Sequence, residues 1–100
     1  MYAKNDKRRL YQLLKLYLSQ QITASTFCDE FYFCYDLELN HSTLTESEMQ
    51  LFAELDKVCS RFSPYEEDYK LDPKAFVTET ELHQVASNVQ NQLNTETEDT

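Results

Sequence analysis

Residues 44–64 read LTESEMQLFAELDKVCSRFSP, and this stretch decides the fold. Thr45 and Glu48 stand at the S/T-x-x-E spacing of a capping box, in which a hydroxyl and a carboxylate satisfy the first free amides of a helix reciprocally. Leu44 and Met49 flank the box at the positions of a hydrophobic staple. Behind it, Leu51, Phe52, Leu55, Val58, Cys59 and Phe62 fall within about 120° of arc at 100° per residue, the stripe of a helix with one buried side. Pro64 disfavours helical backbone at Ser63, so the helix should stop there.

The same device recurs on both sides. Upstream, Thr23 is a candidate N-cap, with Ile22 placed to pack against Phe27. The helix after it carries Phe27, Cys28, Phe31, Cys34 and Tyr35 on one face and should end near Leu39. Before it, Leu10, Leu13, Leu14, Tyr17 and Leu18 mark a first helix over about residues 5–20. Downstream, Thr78 and Glu81 form a second box, with Val77 and Leu82 as staple. Leu82, Val85, Ala86, Val89 and Leu93 are the last buried stripe. Between the third and fourth helices lies SPYEEDYKLDPKAFV, Ser63 to Val77, with two Pro and no sustained period. No alternation of strand type competes. The expected fold is all-α, a four-helix antiparallel bundle with one long acidic loop between helices three and four. Residues 1–93 form a single domain, and the acidic tail, 94–100, is expected to be disordered because it carries no apolar residue.

Composition narrows the function. The 100 residues contain no Gly, so the phosphate-cradling loops G-x-x-x-x-G-K-[ST] and G-x-G-x-x-G are absent, as is the nucleophile turn G-x-S-x-G. No apolar run is long enough to span a membrane, and the basic N-terminus leads into no uninterrupted apolar segment of signal-peptide type. Cys28, Cys34 and Cys59 show no C-x-x-C spacing and read as reduced core thiols, which points to a cytoplasmic protein. Glu38 and His41 match one Glu-x-x-His pair, and Glu79 and His83 share a helix face. A di-iron bundle needs two such pairs and two further Glu, so no metal, cofactor or catalytic residue is assigned and the chain is read as a non-enzyme.

The net charge of −9 is unevenly distributed: residues 1–20 carry +4 and residues 21–100 carry −13. This balance disfavours direct binding to nucleic acid and calls for a basic partner. Glu66, Glu67, Asp68 and Asp72 crowd the long loop, while Glu54 and Asp56 border the third helix's apolar stripe on opposite sides. A connection of that length between helices is unusual and tends to carry function. Phe33 and Leu37 lie off the second helix's buried face, one turn apart. Packing against a neighbour is the expected use of such residues, an exposed anchor ringed by Asp29, Glu30 and Asp36 the alternative.

Several stretches carry a resemblance. LLKLYLSQQITASTF, Leu13 to Phe27, LFAELD, Leu51 to Asp56, and Arg61-Phe62-Ser63-Pro64 followed by acidic residues and Tyr69 are similar, in order and spacing, to the bacterial self-protective colicin-like immunity proteins. That family includes the immunity proteins of colicin D type and of contact-dependent growth inhibition. The resemblance covers about residues 10–93. It implies a cytoplasmic inhibitor that binds the C-terminal nuclease domain of a toxin, often a tRNA-cleaving one, in a 1:1 complex, presenting carboxylates to its basic cleft. On that reading Asp56, Glu66, Glu67 and Asp68 are the candidate toxin contacts, with Glu54 and Asp72 in support and Phe33 and Leu37 as an apolar anchor. The alternative is an acidic helical adaptor that covers a basic nucleic-acid-binding surface of another protein.

Overall fold

The computed structural model describes residues 2–63, 65–71 and 76–98. Helices dominate: α1 spans Arg8–Leu18, α2 Ala24–Tyr32, α3 Glu46–Arg61, α4 Glu66–Leu71 and α5 Glu79–Glu98. A π-helical turn, Phe33–Glu38, prolongs α2, and a 3₁₀ turn, His41–Thr43, precedes α3. Among the described residues β-pairing amounts to one isolated bridge, Phe62 with Val77.

The caps form as their residues dictate. Thr45 and Glu48 make the reciprocal box, with Glu48 N donating to Thr45 Oγ1 at 3.1 Å and Thr45 N to Glu48 Oε1 at 2.8 Å. Thr23 accepts from Thr26 N at 3.1 Å, and Thr78 from Glu81 N at 3.2 Å. The staple at α3 is only half made, since Leu44 is buried and Met49 exposed. Helix α1 ends through Gln20, whose φ of 64° is left-handed. A helix terminus of this kind usually uses Gly, and this chain has none. Gln21 N then closes on Leu16 O at 2.9 Å and satisfies one of the last free carbonyls.

The π turn was not legible in the sequence. Leu39 N donates to Cys34 O, five residues back, at 2.8 Å. In continued α-helix Leu39 would stand about 140° from Cys34, off the core. The wider turn returns it, and Cys34 and Leu39 are both buried. The linker is also corrected: Glu66–Leu71 is a short helix and not irregular loop. Two Glu open it and Lys70 lies in its last turn, the order the helix dipole favours. Leu71 is exposed, and the stretch EEDYKL has no apolar period that would announce a helix in the sequence. The last helix likewise continues past Leu93 to Glu98, through residues expected to be disordered. No Gly or Pro interrupts it there, and Thr95 Oγ1 donates to Asn91 O at 2.9 Å.

Helix α1 lies against α2 and α5, and α3 lies against the same two, so the contacts close into a ring. Leu10, Leu13, Leu14, Phe27, Phe31, Phe52, Leu55, Leu82, Val89 and Leu93 fill its interior. Aromatic rings run through that core in sequence. Tyr17 stacks on Phe27 at 4.8 Å between centroids, Phe31 on Tyr35 at 5.4 Å, and Tyr35 on His41 at 4.4 Å. Phe31 also meets Phe27 and Phe52, at 5.8 and 6.2 Å. At the edge of the core, the largely buried Arg9 of α1 pairs with Glu30 of α2 at 3.1 Å.

Glu48 is the buried charge on which the start of α3 depends. Besides its cap bond it accepts from Lys7 Nζ at 3.0 Å and from the Tyr11 hydroxyl, tying α1 to α3. Burial alone would raise its pKa, but the bonds from Thr45, Tyr11 and Lys7 outweigh this and hold it below the usual glutamate value. A lowered carboxylate pKa adds stability above the unfolded value of 4.5, and that stability is lost as pH falls through the folded value. Glu48→Ala is expected to cost about 2 kcal/mol at neutral pH. Urea titrations at neutral pH and near pH 3 should show the gap between variant and parent closing in acid.

Candidate acidic groove between α2 and α3

Helix α2 and its π extension lean against α3 and leave an open groove of about 620 Å³ between them. The first wall is Ser25, Asp29, Tyr32 and Phe33. The second is Asp56, Ser60 and Phe62, and the floor carries Cys28 and Cys59. The spacing explains the arrangement. On α3, Asp56 and Ser60 are one turn apart on the side facing α2, next to the buried Cys59.

The aromatic rim is exposed. Tyr32 is 51%, Phe33 45% and Leu37 56% accessible, so the expectation that Phe33 and Leu37 pack against a neighbour is corrected. Their stretch bulges into the π turn, and the residues that reach the core from it are Cys34, Tyr35 and Leu39. A Lys4 ammonium lies 5.2 Å from the centre of the Phe33 ring, the only cover that ring has among the described contacts apart from the edge of Tyr32. Two large aromatic side chains exposed on one groove rim are uncommon on a protein without a partner.

On the α3 wall of the groove, Asp56 has the Asp36 carboxyl of the π turn as its electrostatic neighbour. Partial burial, then the hydrogen bond and charge of Asp36, push the Asp56 pKa from 3.8 up to about 7, against a smaller opposing effect of His41. His41 itself stacks on Tyr35 and places Nε2 2.6 Å from Tyr35 O. Its part in the Glu38-x-x-His41 spacing is therefore a packing role at the end of the π turn. The Cys59 thiol is held protonated: the Cys28 sulfur beside it, then burial, push its pKa far up.

A raised carboxylate pKa has a definite sign. Asp56 contributes stability that is fully present below 3.8 and is lost as pH rises through about 7. Two like carboxylates held together thus weaken the fold under neutral conditions. Asp56→Asn is expected to stabilise the protein by about 1 kcal/mol at pH 8, a figure reduced from the full shift because the pair meets solvent. At about pH 4.5 the gain should vanish, and parallel thermal melts at the two pH values check it.

The acidic residues singled out in the sequence do not form one surface. Asp56 enters the groove together with Phe33, whereas Glu54 is exposed about 160° away around α3. Glu66, Glu67 and Asp68 lie on α4, Glu67 with its side chain in solvent, and Asp72 lies outside the described residues. Leu37 is exposed on the π turn beside Asp36 and does not line the groove. Asp36 and Tyr32 are the site residues sequence reasoning did not single out as contacts. Asp36 was legible only as part of the charged ring around Phe33, because its partner Asp56 comes from another helix. Among the described residues no group of three or more His, Cys, Asp or Glu is placed to hold a metal ion, and no helix is long and apolar enough to cross a membrane. Scans against protein-family models, curated proteins and solved structures find no match to this chain.

Proposed function

We propose that the protein is a non-enzymatic inhibitor that binds 1:1 to the basic nuclease domain of a toxin, an RNA-cleaving one, and blocks its catalytic cleft with carboxylates. The observation that carries this reading is the α2/α3 groove. It combines an exposed aromatic rim with Asp56, whose proximity to Asp36 of the π turn costs stability. A basic partner would relieve that repulsion, and the retention of a destabilising pair is the usual trade of stability for binding. The net charge of −9 and the acidic helix α4 extend the same sign over the surface and would steer a basic domain toward it. The resemblance to colicin-like immunity proteins points the same way. In keeping with it, the four long helices are read as an antiparallel bundle, which their closed ring of contacts supports.

The test is co-purification with the C-terminal domain of the large open reading frame adjacent to the gene, followed by RNA cleavage with and without the protein. A 1:1 complex that silences cleavage of tRNA is the expected result. A complex that leaves cleavage unchanged would reassign the protein to the adaptor class, and the absence of any complex would remove the inhibitor reading.

A further inference from the structure

We infer that the groove between α2 and α3 is the seat of a basic–apolar segment of the partner protein, an arginine bridging Asp36 and Asp56 while a neighbouring apolar side chain lies between Phe33 and the Cys28/Cys59 floor. This rests on the inhibitor reading and names the part of the partner that enters the groove. The choice of occupant follows from charge and shape. The floor and rim are sulfur and aromatic carbon, which an apolar side chain dries, while Asp29 and Asp56 put negative charge on the two walls and Asp36 adds its charge next to Asp56. Two carboxyls side by side suit a planar guanidinium, whose fork of donors can serve both at once, better than the point charge of an ammonium. The Phe33 ring already takes a cation of the molecule itself, Lys4, so its face is open to one.

Protons compete for the same place. The groups facing Asp56 are Asp36 of the π turn, His41 of the 3₁₀ turn and the thiol of Cys59, behind which lies Cys28. Asp56 retains its proton up to about pH 7, so an arriving guanidinium must displace it. Binding therefore strengthens as pH rises.

The probes are the blocked peptide acetyl-Leu-Arg-Leu-amide and its citrulline counterpart, which keeps the shape and removes the charge. Each is titrated into the full chain while backbone amide resonances are followed. The arginine peptide is expected to shift amides at Phe33, Asp36, Asp56 and Ser60. Its affinity should rise roughly fivefold or more between about pH 5.5 and about pH 8. The citrulline peptide should bind at least about tenfold more weakly. The Asp36→Asn/Asp56→Asn variant, which relieves repulsion and so keeps its fold, should lose the preference for arginine. Equal binding of the two peptides, shifts confined to α4 or α5, or an unchanged preference in the variant would each overturn the inference. Capture of the nuclease domain is scored separately on the same variant. A protein that captures the domain but not the arginine peptide overturns the groove assignment alone. Peptide binding without nuclease capture supports the groove and removes the inhibitor reading.

Discussion

Replacing Phe31 by Ala is expected to remove about 3–5 kcal/mol of folding stability, among the largest effects of a single truncation in this core. Its ring is fully buried and meets Phe27, Tyr35 and Phe52 within 6.2 Å between centroids, so it joins α2 to α3 and to the π turn. The substitution loses the transfer free energy of the ring and also leaves a cavity that three aromatic neighbours cannot collapse into without leaving their own stacks. A domain of this length has total stability of about 5–15 kcal/mol, and each kcal/mol shifts its melting temperature by about 4–8 °C. The expected result is a melting temperature lower by about 15–30 °C, read by circular dichroism. The groove should suffer with it, because Tyr35 stacks on His41 at the turn that carries Asp36. A loss of under about 1 kcal/mol would mean that Phe31 is not the centre of the packing.

The second large effect concerns binding. Changing Glu66, Glu67 and Asp68 together to Lys moves the net charge from −9 to −3 and turns α4 from acidic to basic. Capture of a basic nuclease domain is expected to weaken at least about hundredfold, mostly through a slower association rate at low salt. Helicity and melting should change little, since exposed surface charges contribute little to folding and Glu67 is in solvent. Association measured at low and physiological ionic strength separates the causes. A steering role predicts that salt erases much of the difference between variant and parent. A difference that persists at high salt would instead place these residues in the buried part of the contact. Unchanged capture would leave the α2/α3 groove as the acidic surface that matters.

What was legible in the sequence follows a physical rule. The helix starts at Thr23, Thr45 and Thr78 depend on residues within four positions of one another, and each is formed as its sequence requires. The stripe of α3 is equally local, and Leu51, Phe52, Leu55 and Cys59 are all buried. The three Cys are buried as well, in keeping with their places on or beside apolar stripes. Helix α4 escaped because its six residues show no apolar period, and the end of α5 because its sequence beyond Leu93 carries no apolar residue.

The sequence by itself determined the helical class, the caps and the composition of the core, because these arise from contacts within one or two turns of chain. Only the tertiary structure decided where the candidate surface is. The π turn depends on Leu39 finding the core that α1, α2 and α3 enclose, and that turn leaves Phe33 and Leu37 in solvent. The Asp36–Asp56 pair joins residues twenty positions apart in the chain, from two elements whose relative placement no local rule sets. Local propensity chooses the elements, but the juxtaposition of carboxylates across them follows from how the apolar faces pack.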